Sequence, residues 1–299
     1  MLYLQALPDA RNKKSSQGNT YEELKYVAQS ISLPEGLITI GNVCSYDNQL
    51  YFWGQADDKY RIYNMEPDYL EARQLTSYNH SMEGEQRSSY GIKSMQTDLL
   101  RNLWVLETGT AESGEQHCAL RKLDAEGREE LLIYLSELFN SPLEYQMIGL
   151  SFDEDGHIYI SYNTELHILG MDGAVLKTLT AGNLIRSVFT MPDGRVAALD
   201  AGSGTLMLVD TQSLEWGAKM TLAFGASTVG PGKGDYGVCY RDKTQLYLRN
   251  LAKGEPEQVL SWLELDISGD YIEEFFHWKT AGLSVLKECP RPNYPRCFC

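Results

Sequence analysis

The sequence predicts an all-β fold, a β-propeller of four-stranded antiparallel blades with five full units and an incomplete sixth. Three observations carry this: short β-rich runs recur at blade-like intervals, two consecutive stretches share one order of strands and turns, and helical pattern is scarce.

Taken in chain order, residues 1–33 read as a leader with no assigned fold, within which Tyr21 to Ser30 has the pattern of one short helix. Pro34-Glu-Gly36 opens the repeat region, which extends to residue 276. Leu50-Tyr-Phe-Trp-Gly54 follows the polar turn Tyr46-Asp-Asn-Gln49, and Leu103-Trp-Val-Leu-Glu107 follows Asp98-Leu-Leu-Arg-Asn102. Glu129 to Leu138 reads either as a second helix or as the last strand of its unit.

The clearest unit spans Met147 to Leu179. Ile148 to Phe152 is its first strand, Asp155-Gly156 a hairpin turn whose residues tolerate positive φ, and Ile158 to Tyr162 the second strand. Glu165 to Gly170 is the third strand, Met171-Asp-Gly-Ala174 a turn, and Val175 to Leu179 the fourth. The next unit repeats the order with Ser187 to Met191, Asp193-Gly194, Val196 to Ala201, Thr205 to Asp210 and Lys219 to Phe224. Gly225 to Gly237 is Gly-rich and reads as a loop, and Tyr236 to Tyr240 is the second strand of the fifth unit.

The second-strand runs begin at Leu50, Leu103, Ile158, Val196 and Tyr236, at intervals of 53, 55, 38 and 40 residues. Propeller repeats run roughly 40 to 50 residues with four strands each. A β-sandwich is the other all-β architecture, but it lacks this repeated order of strand and turn.

The sixth unit breaks. Ser268 to Phe276 supplies a first strand, yet the expected turn and second strand give way to a Cys/Pro-rich tail, residues 277–299. Back-translation with the first two bases of the His277 codon dropped permits Leu-Glu-Asp-Gly-Arg, which closely resembles Met191-Pro-Asp-Gly-Arg195 in the fourth unit. Two accounts of the tail follow: residues from about His277 are read out of frame, which would truncate the propeller, or the tail is genuine. Cys289, Cys297 and Cys299 with His277 fit no zinc-module spacing, and Cys44, Cys118 and Cys239 sit in or near apolar runs where buried thiols are expected.

Composition narrows the function classes. The 299 residues carry 26 Lys plus Arg against 41 Asp plus Glu, a net charge of −15 without a basic stripe, so nucleic acid and anionic membrane are poor partners. No apolar stretch approaches the roughly 18 residues of a membrane span. No hydrophobic region follows a basic start, so no signal peptide is read in the chain as given.

The sequence also lacks a phosphate-binding Gly-Lys-Ser/Thr loop, a His-Glu-x-x-His, a Gly-x-Ser-x-Gly and a dinucleotide fingerprint. Asp153-Glu-Asp-Gly156 is too short for a calcium loop and reads as a turn. No catalytic residue is assigned.

In a propeller the exits of the second strands gather at one end of the channel, where loops on a rigid scaffold meet ligands. These exits are Trp53, Glu107, Tyr162 with Asn163, Asp200, and Tyr240 with Arg241. Aromatic and amide groups so mixed suit a small-molecule, carbohydrate, peptide or protein ligand without a cofactor. The rival expectation is a lactonase-like propeller hydrolase in which Glu107, Asn163 and Asp200 offer hard oxygen donors to calcium.

Asp153-Glu-Asp-Gly-His-Ile-Tyr-Ile160, and Asp98 to Thr108 with its Asn-Leu-Trp-Val core, resemble the blades of NHL-type and sensor-type bacterial propellers. The series over residues 37–276 is similar to propeller modules that some Gram-positive gut bacteria attach ahead of an extracytoplasmic solute-binding domain, although no such domain is recognisable here. The resemblance implies an extracytoplasmic, non-catalytic module for ligand binding or protein interaction.

Overall fold

The structure is a computed structural model. It describes the backbone of the strands named below with the connections between most of those in residues 87–222. Side chains are described at 37, 44, 49–54, 60–65, 72–75, 91–98, 100, 102–109, 118–124, 126–135, 138, 148–191, 193–200 and 202–222.

Strands β1 (Leu2–Ala6), β2 (Arg11–Lys14), β3 (Thr20–Glu23) and β4 (Tyr26–Ser30) precede the repeats. β1 pairs with β4 and β2 with β3. The short helix expected over Tyr21 to Ser30 is therefore replaced by β3 and β4: aromatic and β-branched residues such as Tyr26 and Val27 favour extended backbone once antiparallel partners are present.

Five sheets of four antiparallel strands follow, each in sequential order. The first holds β5 (Thr39–Tyr46), β6 (Gln49–Ala56), β7 (Lys59–Met65) and β8 (Ala72–Gln74). The second holds β9 (Arg87–Thr97), β10 (Leu103–Ala111), β11 (Gln116–Leu123) and β12 (Glu129–Tyr134), so the segment from Glu129 is a last strand. The third holds β13 (Ile148–Phe152), β14 (Ile158–Tyr162), β15 (Glu165–Leu169) and β16 (Val175–Thr180), matching the expected strands to within a residue.

The fourth sheet holds β17 (Ile185–Thr190), β18 (Val196–Asp200), β19 (Thr205–Asp210) and β20 (Glu215–Thr221). β20 starts four residues before the expected Lys219, because Asp210 Oδ1 accepts from the Gln212 and Ser213 amides and Leu214 turns at φ 53°, which closes the hairpin early. The fifth holds β21 (Thr228–Pro231), β22 (Tyr236–Arg241), β23 (Gln245–Asn250) and β24 (Pro256–Ser261), so a strand occupies part of the Gly-rich stretch expected to be loop. β25 (Glu274–Trp278) then pairs with β26 (Gly282–Leu286). A second strand thus follows His277 where none was expected; its Leu283 and Val285 alternate with small or polar neighbours at the strand period.

Burial explains the sequence pattern. β14 and β18 are buried at every position, as central strands covered on both faces must be, and they read as continuous apolar runs. The outer strands β12, β16 and β20 are mostly exposed and more polar.

Apolar clusters fill the seams between successive sheets. Ile62 and Cys44 meet Met95 and Val105 between the first and second. Trp104 and Leu106 meet Phe152 and Ile160 between the second and third, with the Trp104 and Phe152 rings 5.2 Å apart. Tyr159 and Ile168 meet Val188 and Ala198 between the third and fourth. The second and third sheets therefore bury both faces against their neighbours, the packing of propeller wedges rather than of two stacked layers.

One five-residue turn recurs at one end of the sheets. In Asp124–Arg128, Asp153–His157, Gly170–Ala174 and Met191–Arg195 the first amide donates to the fifth carbonyl, and the fourth residue's amide donates back to the first carbonyl. The fourth residues, Gly127, Gly156, Gly173 and Gly194, have φ of 83–84°, a region open to glycine at no steric cost. Asp153-Glu-Asp-Gly156 is thus a turn. No helix among the described residues is long and apolar enough to cross a membrane.

Candidate functional site

The opposite end of the sheets carries the turns between second and third strands and the entries into the first strands. Asn163, at φ 55°, sits in the two-residue turn between β14 and β15. Its carbonyl accepts from the Ile185 amide at 2.7 Å, and the Thr164 carbonyl accepts from Ala181 at 2.7 Å. These bonds fasten the third sheet's turn to the chain entering the fourth.

The register of the first strands is interrupted at this end. In the fourth sheet Ile185 faces Asp200 and Ser187 faces Leu199, leaving Arg186 as the extra residue of a β-bulge. In the second sheet Ile92 faces Glu107 and Ser94 faces Leu106, leaving Lys93 extra. In the first, Gly41 and Asn42 together oppose Trp53, between the pairs Ile40–Gly54 and Val43–Phe52.

The bulges are equivalent. Lys93 lies four residues before Thr97, which pairs with Leu103, and Arg186 four before Thr190, which pairs with Val196. Packing records the inserted residue: Ile92 and Met95 enter one seam, and Ile185 and Val188 another, although residues three apart in a regular strand point to opposite faces. The third sheet runs through this level without a bulge, with Ile148 facing Tyr162 and Gly149 facing Ser161.

Of the expected second-strand exits, Trp53, Glu107 and Asp200 lie opposite or beside these bulges, and Trp53 and Glu107 are not exits. β6 continues three residues beyond Trp53 to Ala56, and β10 four beyond Glu107 to Ala111, because their hairpins are longer than those of the third and fourth sheets. Trp53 is half-buried and its ring lies 5.4 Å from that of Tyr60. Glu107 is wholly buried, with Oε1 3.4 Å from Arg121 Nε, and Arg121 in turn reaches Glu129 at 2.6 Å. Burial, with the Glu107 charge adding to it, pushes the nearby Cys118 thiol up and keeps it protonated.

Tyr162 is buried in the seam between the second and third sheets. Asp200 ends β18 and accepts from Gly202 and Ser203 amides at 3.0 Å and from Asn183 Nδ2 at 3.0 Å. Burial pushes its carboxyl up, but the Ser203, Asn183 and Gly202 donors outweigh that and hold it below the usual carboxylate range. Tyr240 and Arg241 lie near the end of β22, and their side chains fall outside the described residues.

Two of the three donors named for calcium are thus engaged within the protein: Glu107 by Arg121, and Asp200 by its turn and Asn183. Another cluster, Asp153, Asp155 and His157, has its ligand atoms within 4.8 Å of one another at the far end of the third sheet. There Asp153 accepts from the His157 amide and faces His157 Nδ1 at 2.7 Å. The bulges are what sequence reasoning missed; the one signal was an apolar spacing of three in Ile92-Lys-Ser-Met95 and in Ile185-Arg-Ser-Val188.

No protein-family model and no curated protein matches the chain. Among solved structures, a catalytically inactive virginiamycin B lyase from Staphylococcus aureus with quinupristin is similar at 9% identity and TM-score 0.52, over 87% of this chain and 88% of that one. A protein of unknown function from Bacteroides caccae is similar at 11% identity and TM-score 0.50, over 95% of this chain and 93% of that one. This chain is structurally similar to β-propeller proteins, and at such identities the likeness is one of fold alone.

Proposed function

We propose that the chain is a non-catalytic β-propeller module of a bacterial extracytoplasmic protein, binding a carbohydrate, peptide or protein partner at the end of the ring where its first strands bulge. The observation that carries this is the repetition of the bulge at one level of three sheets, beside Trp53, Glu107 and Asp200. Bulges interrupt a ladder at a cost and concentrate next to functional sites, where they re-aim side chains. At the opposite end, four hairpins among the described residues share one Gly turn.

The ring in this proposal has six units. First strands neighbour one another in the order β5, β9, β13, β17, β21, β25, and β25 returns to β5, while β1 lies against β26. The sixth unit is then the β25–β26 hairpin extended by β1 and β4, so that both ends of the described chain close the ring. Closure removes the exposed edge of β26 that an open ring would present.

The test is a glycan and peptide array screen with the intact chain, followed by hydrogen exchange on the hits. Protection is expected at residues 40–43, 92–94 and 185–187. Hits that protect only the outer strands β12, β16 and β20 would contradict the proposal, and turnover of a hit would move the protein to the hydrolase class.

A further inference from the structure

We infer that the bulged end selects an anionic ligand, one bearing carboxylate or phosphate groups, through Lys93 and Arg186. This rests on the proposed binding at that end and adds the chemical class of the ligand.

The chain carries a net charge of −15, yet the single extra residue in each of two equivalent bulges is a cation. A bulge residue is released from the ladder on its own strand, so its side chain is not tied to the alternation that sends its neighbours into the seams. Its neighbours show this: Ile92 and Ile185 are buried, whereas Lys93 is half-buried and Arg186 exposed.

The two sheets flank the third, which at the same level presents Ile148 and Gly149 and no charge. A Cβ at Gly149 would lie 2.8 Å from Ser161 Oγ and 2.9 Å from Val188 Cγ1, so close packing of the third sheet against the fourth also disfavours a larger residue there. The carboxylate nearest Arg186 in the ladder, Asp200, is committed to Asn183 and to the amides of its own turn. An Arg fork matches a carboxylate or phosphate in bidentate geometry, and a Lys adds a point charge. Two cations at one level of a chain of net charge −15 favour acidic sugars over neutral ones of the same size.

The experiment is calorimetric titration of the intact chain with three probes: citrate, inorganic phosphate and neutral lactose. Wild-type protein is expected to bind at least one anion and not lactose, with affinity falling as salt rises. Lys93→Gln and Arg186→Gln should each weaken that binding about tenfold, the loss of a charged hydrogen-bonding partner. Arg186→Lys should lie between, and the outer-strand control Lys177→Gln should match wild type. Melting curves of every variant establish folding, and the salt dependence of the wild type stands if a variant fails to fold. Which anion binds separates carboxylate from phosphate. Binding of neither anion, or binding that survives both substitutions, overturns the inference. Array hits that are neutral and still protect the bulges would leave the binding proposal standing while removing this one.

Discussion

The Tyr159 hydroxyl donates to Asp153 Oδ2 at 2.7 Å across the first turn of the third sheet. Trp104 Nε1 makes the same bond to Asp98 Oδ2 at 2.9 Å in the second sheet, where Asp98 Oδ1 also accepts from the Asn102 amide. One carboxylate thus closes a turn and satisfies the polar atom of a buried aromatic ring, which otherwise would be stranded in a seam. Burial and this bond to Asp153 push the Tyr159 phenol up, so it remains a donor at any ordinary pH. Asp153→Ala is expected to lower unfolding stability by about 1–3 kcal/mol, as unsatisfied buried donors do, and Tyr159→Phe by about 1 kcal/mol, measured by denaturant melts.

Gly173 turns at φ 83° against the Ile133 side chain of the neighbouring sheet. Gly173→Ala therefore combines an unfavourable backbone with a clash, and should destabilise by about 2 kcal/mol. Gly204→Ala, at φ 63° with nothing near its Cβ position, should cost about 1 kcal/mol from the backbone alone. The difference between the two melts isolates the seam.

Removing Glu107 leaves Arg121 buried with Glu129 at the exposed edge as its described carboxylate partner. Glu107→Leu should reduce stability by about 3 kcal/mol. The loss should be the same with calcium or with chelator present. A wild-type melting temperature that rises with calcium, and does so only while Glu107 is intact, would favour the hydrolase expectation instead.

His167 is buried, with Nδ1 3.1 Å from Thr178 Oγ1. Burial lowers its pKa below the ordinary value of 6.5, against a smaller opposing effect of Glu165. Since the unfolded state then takes up the proton first, the neutral ring's contribution is complete above about pH 6.5 and is lost as pH falls toward the folded value. His167→Gln should flatten the stability profile in that acid window, checked by melts across pH 4 to 8.

Much of the fold was legible because propeller seams force a visible code. β14 and β18 are covered on both faces and read as unbroken apolar runs, while Asp-Gly turns mark the hairpins between them. The exits at Asn163 and Asp200 were legible for the same reason, being tight turns directly after short strands. Trp53 and Glu107 were misplaced because nothing in the local pattern fixes how far a hairpin extends past its apolar core. The pairings of β1 with β4 and of β25 with β26 escaped because strands of five residues depend on distant partners for their order. The bulges are a property of register between strands, which a single strand records only as the apolar spacing of three in Ile92 to Met95 and Ile185 to Val188.

Ring closure is the claim on which the site depends, since only a closed ring holds the bulged first strands around one mouth. Hydrogen exchange of the full chain against a variant lacking residues 1–33 tests it most directly. Deletion is expected to expose the amides of β25 and β26, lower the melting temperature and promote self-association through the freed edge of β26. Unchanged protection in β25 and β26, with unchanged melting, would contradict it.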